Sequence, residues 1–329
     1  MPSLSREILD NLTKPGPRLP WLRGWLLNDV WTRRRYDTLD PIAFLEQGEK
    51  EVNELEEVLT TAAARIYDEL ITEPPAGRDV RTFLEEERPC AVVLFDGLSL
   101  REIPLVLRLA EEGGLRAGEV DAGMSAVPSE TVDFVEQRLR AGRVGPSQLP
   151  GRRELKEAGI EAFYYDHEGR RHPLPSDHPA LCLWSAFPDQ TYQDSGARFP
   201  KHFAELHRRL EAVWRNTVQA IPPGRRILVT SDHGYIFFGH GCSARRDNPT
   251  IRPLTQWLGG ERWQSLKPGE DPPTHPDLTV LPHRRLAMVR GRVQTHPSGP
   301  AAARLYKHGG LSLMEMLTPW VVLVAEGGA

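Results

Sequence analysis

The sequence predicts an α/β protein, a doubly wound and mostly parallel sheet with an N-terminal helical segment, and three observations carry that prediction. Ala91-Val92-Val93-Leu94-Phe95 is an uninterrupted apolar run, as a strand covered on both faces requires. Two further apolar runs, residues 180–184 and 226–230, are separated from it and from each other by helix-period segments, and that alternation marks a parallel sheet. Ahead of them, residues 1–88 read as helical and are punctuated by Pro15, Pro17, Pro20, Pro41, Pro74 and Pro75. The expected division is therefore a helical segment over 1–88 and an α/β domain over 89–329.

In the N-terminal segment the clearest helix is expected over 42–71. Val52, Leu55, Val58, Leu59, Ala62, Ile66 and Leu70 recur on one stripe, with the glutamates between them on the outer face. Pro74-Pro75-Ala76-Gly77 reads as a short connector. The strand at 91–95 ends at Asp96, and a helix carrying Ile103, Val106, Leu107 and Ala110 follows and closes at Gly113-Gly114. The run at 180–184 leads into a loop carrying Asp189. A helix expected over 199–221 buries Phe203, Leu206, Leu210, Val213 and Trp214, and the strand after it delivers Ser231-Asp232-His233-Gly234. Three strands thus bring an acidic residue to their C-terminal ends, where open α/β sheets place their ligand sites. Residues 248–300, rich in Pro and Gly, read as loops with one short strand at 286–289.

The 329 residues are 40% hydrophobic and 26% charged, enough to bury a full-sized core. A formal net charge of −4 opposes any overall attraction to nucleic acid or anionic membrane, so a phosphate-bearing substrate must be held locally. Cys90, Cys182 and Cys242 are odd in number and widely spaced, which suits free thiols in a reducing compartment. The start, MPSLSREILDNL, lacks the apolar region of an export signal, and no apolar run approaches the roughly 20 residues that span a bilayer. A cytoplasmic protein with no membrane partner is expected.

Carboxylates paired with neutral imidazoles are the donors a divalent cation needs in order to polarise a phosphoryl group. Asp232-His233 supplies one of each at a strand end, whereas Asp166-His167 and Asp177-His178 read as turns. Three segments, Val92-Val93-Leu94-Phe95-Asp96-Gly97-Leu98-Ser99, Leu228-Val229-Thr230-Ser231-Asp232-His233-Gly234 and the run from Lys307-His308-Gly309-Gly310 through Ser312 and Glu315 to Pro319-Trp320, resemble the signature segments of the PglZ domain. That domain belongs to the alkaline-phosphatase superfamily and occurs in BREX bacteriophage-defence systems and in some two-component response regulators. The resemblance spans residues 88–325 and is most specific in the last segment, HGGxSxxExxxP.

The resemblance implies an alkaline-phosphatase-like fold and a site for one or two divalent metals, with zinc expected. Asp96, Asp232 and His233 would hold the first ion, and Asp189, Asp194 and His308 the second. In Pro128-Ser129-Glu130-Thr131, Thr131 matches the superfamily nucleophile with Ser129 as the alternative, while a helix N-cap at either hydroxyl is an equally open reading. Arg245 and Arg246, just beyond the Asp232-His233 turn, are candidates for binding a substrate phosphate. Where the superfamily has a histidine four residues after the loop aspartate, this chain has Gln193. Two functions stay open on that residue. One is a metal-dependent phosphodiesterase or nuclease acting on a phosphodiester or nucleic acid. The other is a catalytically weak or inactive PglZ component bound to other phage-defence proteins.

Overall fold

A computed structural model describes residues 6–72, 78–192, 201–238, 242, 248–295 and 306–325. Six helices come first: α1 (Arg6–Thr13), α2 (Leu19–Trp25), α3 (Arg33–Thr38), α4 (Pro41–Ala62), α5 (Ile66–Glu69) and α6 (Val80–Glu86). The α/β part then runs β1 (Cys90–Phe95), α7 (Ile103–Glu112), β2 (Leu115–Met124), α8 (Thr131–Gln137), α9 (Arg153–Glu157), β3 (Ile160–Tyr165), β4 (Ala180–Ser185), α10 (Lys201–Asn216) and β5 (Arg226–Thr230). The remainder is β6 (Ile236–Phe237), α11 (Asn248–Leu258), β7 (Trp263–Ser265), β8 (Leu278–Leu281), β9 (Leu286–Val289), β10 (Tyr306–Lys307), α12 (Leu313–Met316) and β11 (Leu317–Ala325).

The central sheet has six strands in the order β2-β11-β5-β1-β4-β3. β1 pairs in parallel with both β4 and β5, and β3 with β4, while β11 runs antiparallel between β5 and β2. The sheet is doubly wound because successive side chains of β1 point to opposite faces. Ala91, Val93 and Phe95 join a core built with α1–α5, α7 and α10, whereas Cys90, Val92 and Leu94 join a second core with α6, α8 and α9. A fold class of mostly parallel α/β sheet with helices ahead of it is therefore what the chain adopts. The predicted strand at 286–289 is β9, and Asp166-His167 and Asp177-His178 lie outside regular structure as expected.

Four expectations need correction. The helix expected over 42–71 ends at Ala62, where Thr60 and Thr61 turn their hydroxyls back onto the carbonyls of Glu56 and Glu57, and the chain re-enters helix only at Ile66. Its glutamates do not all face outward. Glu49 and Glu56 are fully buried on the same stripe as Val52, Leu55 and Leu59, because arginines from distant segments meet them there. Glu49 accepts hydrogen bonds from Arg101 and Arg292; burial opposes its charge, but the two guanidiniums hold its carboxyl below the usual range. The helix expected over 199–221 is described from Lys201 and ends at Asn216, since Thr217 leaves helical backbone at φ −114°, ψ −83°. Finally, the described residues of 248–295 are more than loop: they hold α11 and an antiparallel sheet in the order β7-β9-β8, with Leu254, Leu258, Leu278, Ala287 and Val289 closing a small third core. α11 forms although Pro253 lies inside it.

Three strands of the central sheet, β2, β3 and β11, are not among those expected from the sequence. β2 lies at a sheet edge and is largely solvated along its first half, so it has no continuous apolar run. β11 contains Pro319, which reads against a central strand; it sits one residue before pairing with β5 begins at Trp320, a position where the missing N–H is tolerated.

Candidate metal centre

Adjacent parallel strands put their C-terminal ends on one rim, so β1, β4 and β5 deliver Asp96, the Asp189 loop and Asp232-His233 to the same place. Asp96 directly follows β1, and its N–H continues the ladder to the carbonyl of Ser185 at 2.9 Å. Gly97 then turns the chain at φ +72°, and its N–H donates to Asp232 Oδ1 at 3.0 Å. A side chain at Gly97 would be strained by that backbone and would press on Asp189, Tyr192 and His233 within 3.4 Å. Asp189 N–H bonds the Asp96 carbonyl at 2.9 Å, which ties the third loop to the first.

His308 arrives from the other end of the chain. His233 and His308 stack with ring centroids 3.9 Å apart, so the rim that carries Asp96 also carries His308. Two sets of three donors result, Asp96 with Asp232 and His233, and Asp189 with His233 and His308; the donor atoms of each set lie within 4.8 Å of one another. His233 thus belongs to both sets, whereas the resemblance to the PglZ signature implied only the first. Asp194 and Gln193 lie outside the described residues, as do Arg245 and Arg246.

The ring nitrogens are set for metal binding. His233 Nδ1 lies 2.9 Å from the Gly234 carbonyl, leaving Nε2 directed at Asp96 Oδ1 (3.6 Å) and Asp232 Oδ2 (3.5 Å). His308 Nδ1 lies 3.1 Å from the Ser129 carbonyl and 3.4 Å from Glu130 Oε1, leaving Nε2 facing Asp189 at 3.9 Å. A carboxylate or carbonyl behind a ligating imidazole fixes its tautomer and raises its basicity. Glu130 holds that position and is in turn held by the Trp263 indole N–H at 2.8 Å. Nothing local to Glu130 or to Trp263 in the sequence marks this pair, since the two meet across 133 residues.

Electrostatics call for a cation. Burial pushes the Asp96 carboxyl well above the usual carboxylate range, and the charges of Asp232 and Asp189 push it further. Asp96 Oδ2 accepts from Trp184 Nε1 at 3.2 Å, but Oδ1 is buried with no hydrogen-bond partner. Among the described residues no lysine or arginine pairs with Asp96, Asp189 or Asp232. A buried, orphaned carboxylate oxygen amid two more carboxylates and two oriented imidazoles is a donor set that fits a divalent cation.

Thr131 is the first residue of α8, and its hydroxyl donates to Asp232 Oδ2 at 2.6 Å and lies 3.4 Å from His233 Nε2. Ser129 is fully buried and turned elsewhere: its hydroxyl accepts from Gly309 N–H at 2.9 Å and donates to the Gly310 carbonyl at 3.1 Å. Neither hydroxyl caps the helix, whose N-cap position is Glu130 with no side-chain bond to the first turn. Ser129 instead clamps the α8 turn to the loop that carries His308.

That loop owes its shape to the rest of the HGGxSxxExxxP segment. Ser312 and Glu315 form a capping box at α12, and Glu315 also accepts from Gly310 N–H at 2.9 Å. Gly310 leaves no room for a Cβ, because Arg262 lies within 2.7 Å of where it would stand. Arg262, fully buried, grips both oxygens of Glu315 at 2.6 and 2.8 Å. The Glu315 carbonyl takes the N–H of Gly234, so one short segment braces both the His308 loop and the Asp232-His233 turn. From the N-terminal segment, Glu56 accepts the Leu313 N–H at 2.7 Å, and burial pushes its carboxyl up to about 7.

The pair His308–Glu130 predicts a pH dependence of the metal-free protein. Burial disfavours the imidazolium, yet the hydrogen bond and charge of Glu130 outweigh it and raise His308 to about 10; His308 in turn brings Glu130 down to about 2 against its own burial. A raised histidine stabilises fully below its ordinary value of 6.5 and loses that contribution as pH climbs towards about 10. The lowered Glu130 contributes above 4.5 and loses it as pH falls towards about 2. Thermal unfolding of the metal-free protein should therefore show an advantage of wild type over Glu130→Gln that is largest between 4.5 and 6.5 and shrinks towards pH 10. A difference that stays constant over that range would contradict the ion pair.

No family model matches the chain, and no curated protein matches it significantly. Solved structures that align with it include murine ectonucleotide pyrophosphatase/phosphodiesterase 5, at 14% identity and TM-score 0.43 over 71% of this chain and 87% of that one. Its human counterpart aligns at 13% identity and TM-score 0.41, over 71% and 87% of the two chains. Phosphonoacetate hydrolase from Sinorhizobium meliloti, in complex with phosphonoacetate, aligns at 15% identity and TM-score 0.40 over 72% and 90%. What the site can do therefore follows from its own residues. No helix among the described residues is long and apolar enough to cross a membrane.

Proposed function

We propose that the chain is a metal-dependent phosphoesterase of the alkaline-phosphatase superfamily, a phosphodiesterase or nuclease of the PglZ type serving a BREX-like phage-defence system. The observation that supports this most is the unpartnered, buried Asp96 Oδ1 beside Asp232, Asp189, His233 and His308, with the Thr131 hydroxyl on the same carboxylate cluster. Asp96, Asp232 and His233 would hold one divalent ion, and Asp189 and His308 a second, with zinc favoured by the mix of imidazole and carboxylate. Such ions polarise a phosphoryl group and offset charge that develops on its oxygens. Thr131 would supply the attacking oxygen, its proton passing to Asp232 Oδ2 at 2.6 Å as the O–P bond forms and the P–O bond to the leaving alcohol breaks, and water would then release the phosphoryl group from Thr131. Ser129 keeps the α8 turn and the His308 loop in register. The phage-defence setting and the partner proteins rest on the PglZ resemblance of the three signature segments.

The test is turnover of a bis-aryl phosphodiester with added zinc or manganese, with and without chelator. Activity that appears with metal, disappears with chelator and is lost in Asp96→Asn is expected; metal-independent activity would overturn the reading. Gln193, four residues after Asp189, favours a second reading, because an amide oxygen is a poorer zinc donor than an imidazole nitrogen. On that reading the Asp189–His308 side binds metal weakly and the protein serves mainly as a structural component of a defence complex. Both readings expect a weak second ion, so equilibrium dialysis is run beside turnover: one tight and one weak ion with slow turnover is the result expected of the enzyme, and a weak or missing second ion with no turnover is that of the scaffold.

A further inference from the structure

A cleft of about 690 Å³ is lined by Trp263, whose indole N–H donates to Glu130. Its volume falls within the roughly 300–1,000 Å³ usual for small-molecule sites. Pro128 lines it immediately before Ser129, and Trp263 lines it while its indole N–H holds Glu130, the residue behind His308. The cleft is therefore one side chain removed from the metal cluster.

Its charge is unlike that of the chain as a whole. Arg138, Arg143 and Arg284 line it against a single lining carboxylate, Asp133, so the surplus is positive although the chain carries a net charge of −4. Arg138 is buried with its guanidinium on the Ser125 carbonyl at 2.9 Å, and Arg143 is paired with Asp133 at 2.7 Å and Glu136 at 3.1 Å. Arg284 differs. It is exposed, it reaches the Gln137 amide oxygen at 3.5 Å, and among the described residues no carboxylate pairs with it. An exposed guanidinium without a carboxylate, lining the same cleft as a half-buried indole, offers a phosphate partner and an aromatic surface for a base, the two elements of single-strand binding.

We infer that this cleft binds a single-stranded nucleic acid segment flanking the phosphodiester at the metal centre, with Arg284 on a backbone phosphate and Trp263 against a base. The placement relative to a scissile bond rests on the function proposed above; the binding itself does not.

The experiment is fluorescence anisotropy of a labelled single-stranded oligodeoxynucleotide of about ten nucleotides, titrated with the protein in chelator across a salt series; principle and probe are those of phosphate-contact counting. Wild type is compared with Arg284→Ala and Arg284→Glu. Arg284 is exposed and touches no residue of the metal cluster, so both variants should fold and should hydrolyse a small aryl phosphodiester as wild type does. Expected is a loss of affinity of about tenfold for Arg284→Ala and more for Arg284→Glu, with a slope of log affinity on log salt shallower by about 0.7 for one lost phosphate contact. No oligonucleotide binding by wild type, or equal binding and slope in the variants, overturns the inference. A mononucleotide that binds as tightly as the oligonucleotide overturns the strand assignment. Arg284-dependent binding in a protein that never hydrolyses the aryl diester leaves this inference standing and removes the hydrolase reading.

Discussion

If the proposed function holds, Thr131→Ala is expected to abolish phosphodiester turnover, by about 10³-fold or more given what removal of a nucleophile costs in known hydrolases, while leaving folding and metal content near those of wild type. The separation follows from geometry. Thr131 is partly exposed at the start of α8, and its one strong contact is the donated bond to Asp232 Oδ2, so alanine leaves no buried donor stranded and all five candidate metal donors in place. Ser129→Ala should do the opposite. It removes the acceptor for Gly309 N–H and the donor to the Gly310 carbonyl, so it should weaken metal binding at His308 and lower turnover only in step with it. Full turnover in Thr131→Ala, measured alongside metal content, with Ser129→Ala dead despite normal metal content, would move the nucleophile to Ser129.

Arg262→Met is expected to cost about 3–5 kcal/mol of unfolding free energy, the range found when one partner of a buried ion pair is removed. Glu315 would be left charged and buried, and the carbonyls of Gly291 and Val293 would lose their donor. Denaturant unfolding reads the loss, and a cost under about 1 kcal/mol would mean the pair does not hold the loop. The double variant Arg262→Met with Glu315→Leu should recover part of the stability, since an apolar pair can replace a buried ionic one. It should not recover metal affinity on the His308 side, because Gly310 N–H still has no acceptor. Stability and positioning are thereby read separately.

The α4 glutamates show how far local pattern reading reaches. Glu49 and Glu56 are spaced seven apart on the stripe of Val52, Leu55 and Leu59, and nothing near them in sequence says they are inside. Their partners, Arg101, Arg292 and the Leu313 N–H, stand 52, 243 and 257 residues away. The antiparallel insertion of β11 between β5 and β2 was equally silent, since an apolar run does not state its direction or neighbours. Glu130 and Trp263 pair across 133 residues, and the loop of Gly309, at φ +97°, passes so close to them that a Cβ there would meet Trp263 and stand 2.7 Å from Glu130.

By itself the sequence determined the strands ending at Asp96 and Asp232, the buried stripe of α10 and the convergence of Asp96, Asp189, Asp232 and His233 on one rim. Those are consequences of hydrophobic period and of where parallel strands end, both written in short stretches of chain. The tertiary structure alone decided that His233 serves both donor sets, that Thr131 faces the carboxylates while Ser129 faces the loop, and that Glu130, Arg262 and Glu315 hold the site. Each of these is a contact between segments far apart in the chain, and which of them form depends on the packing of the whole molecule, not on any local propensity.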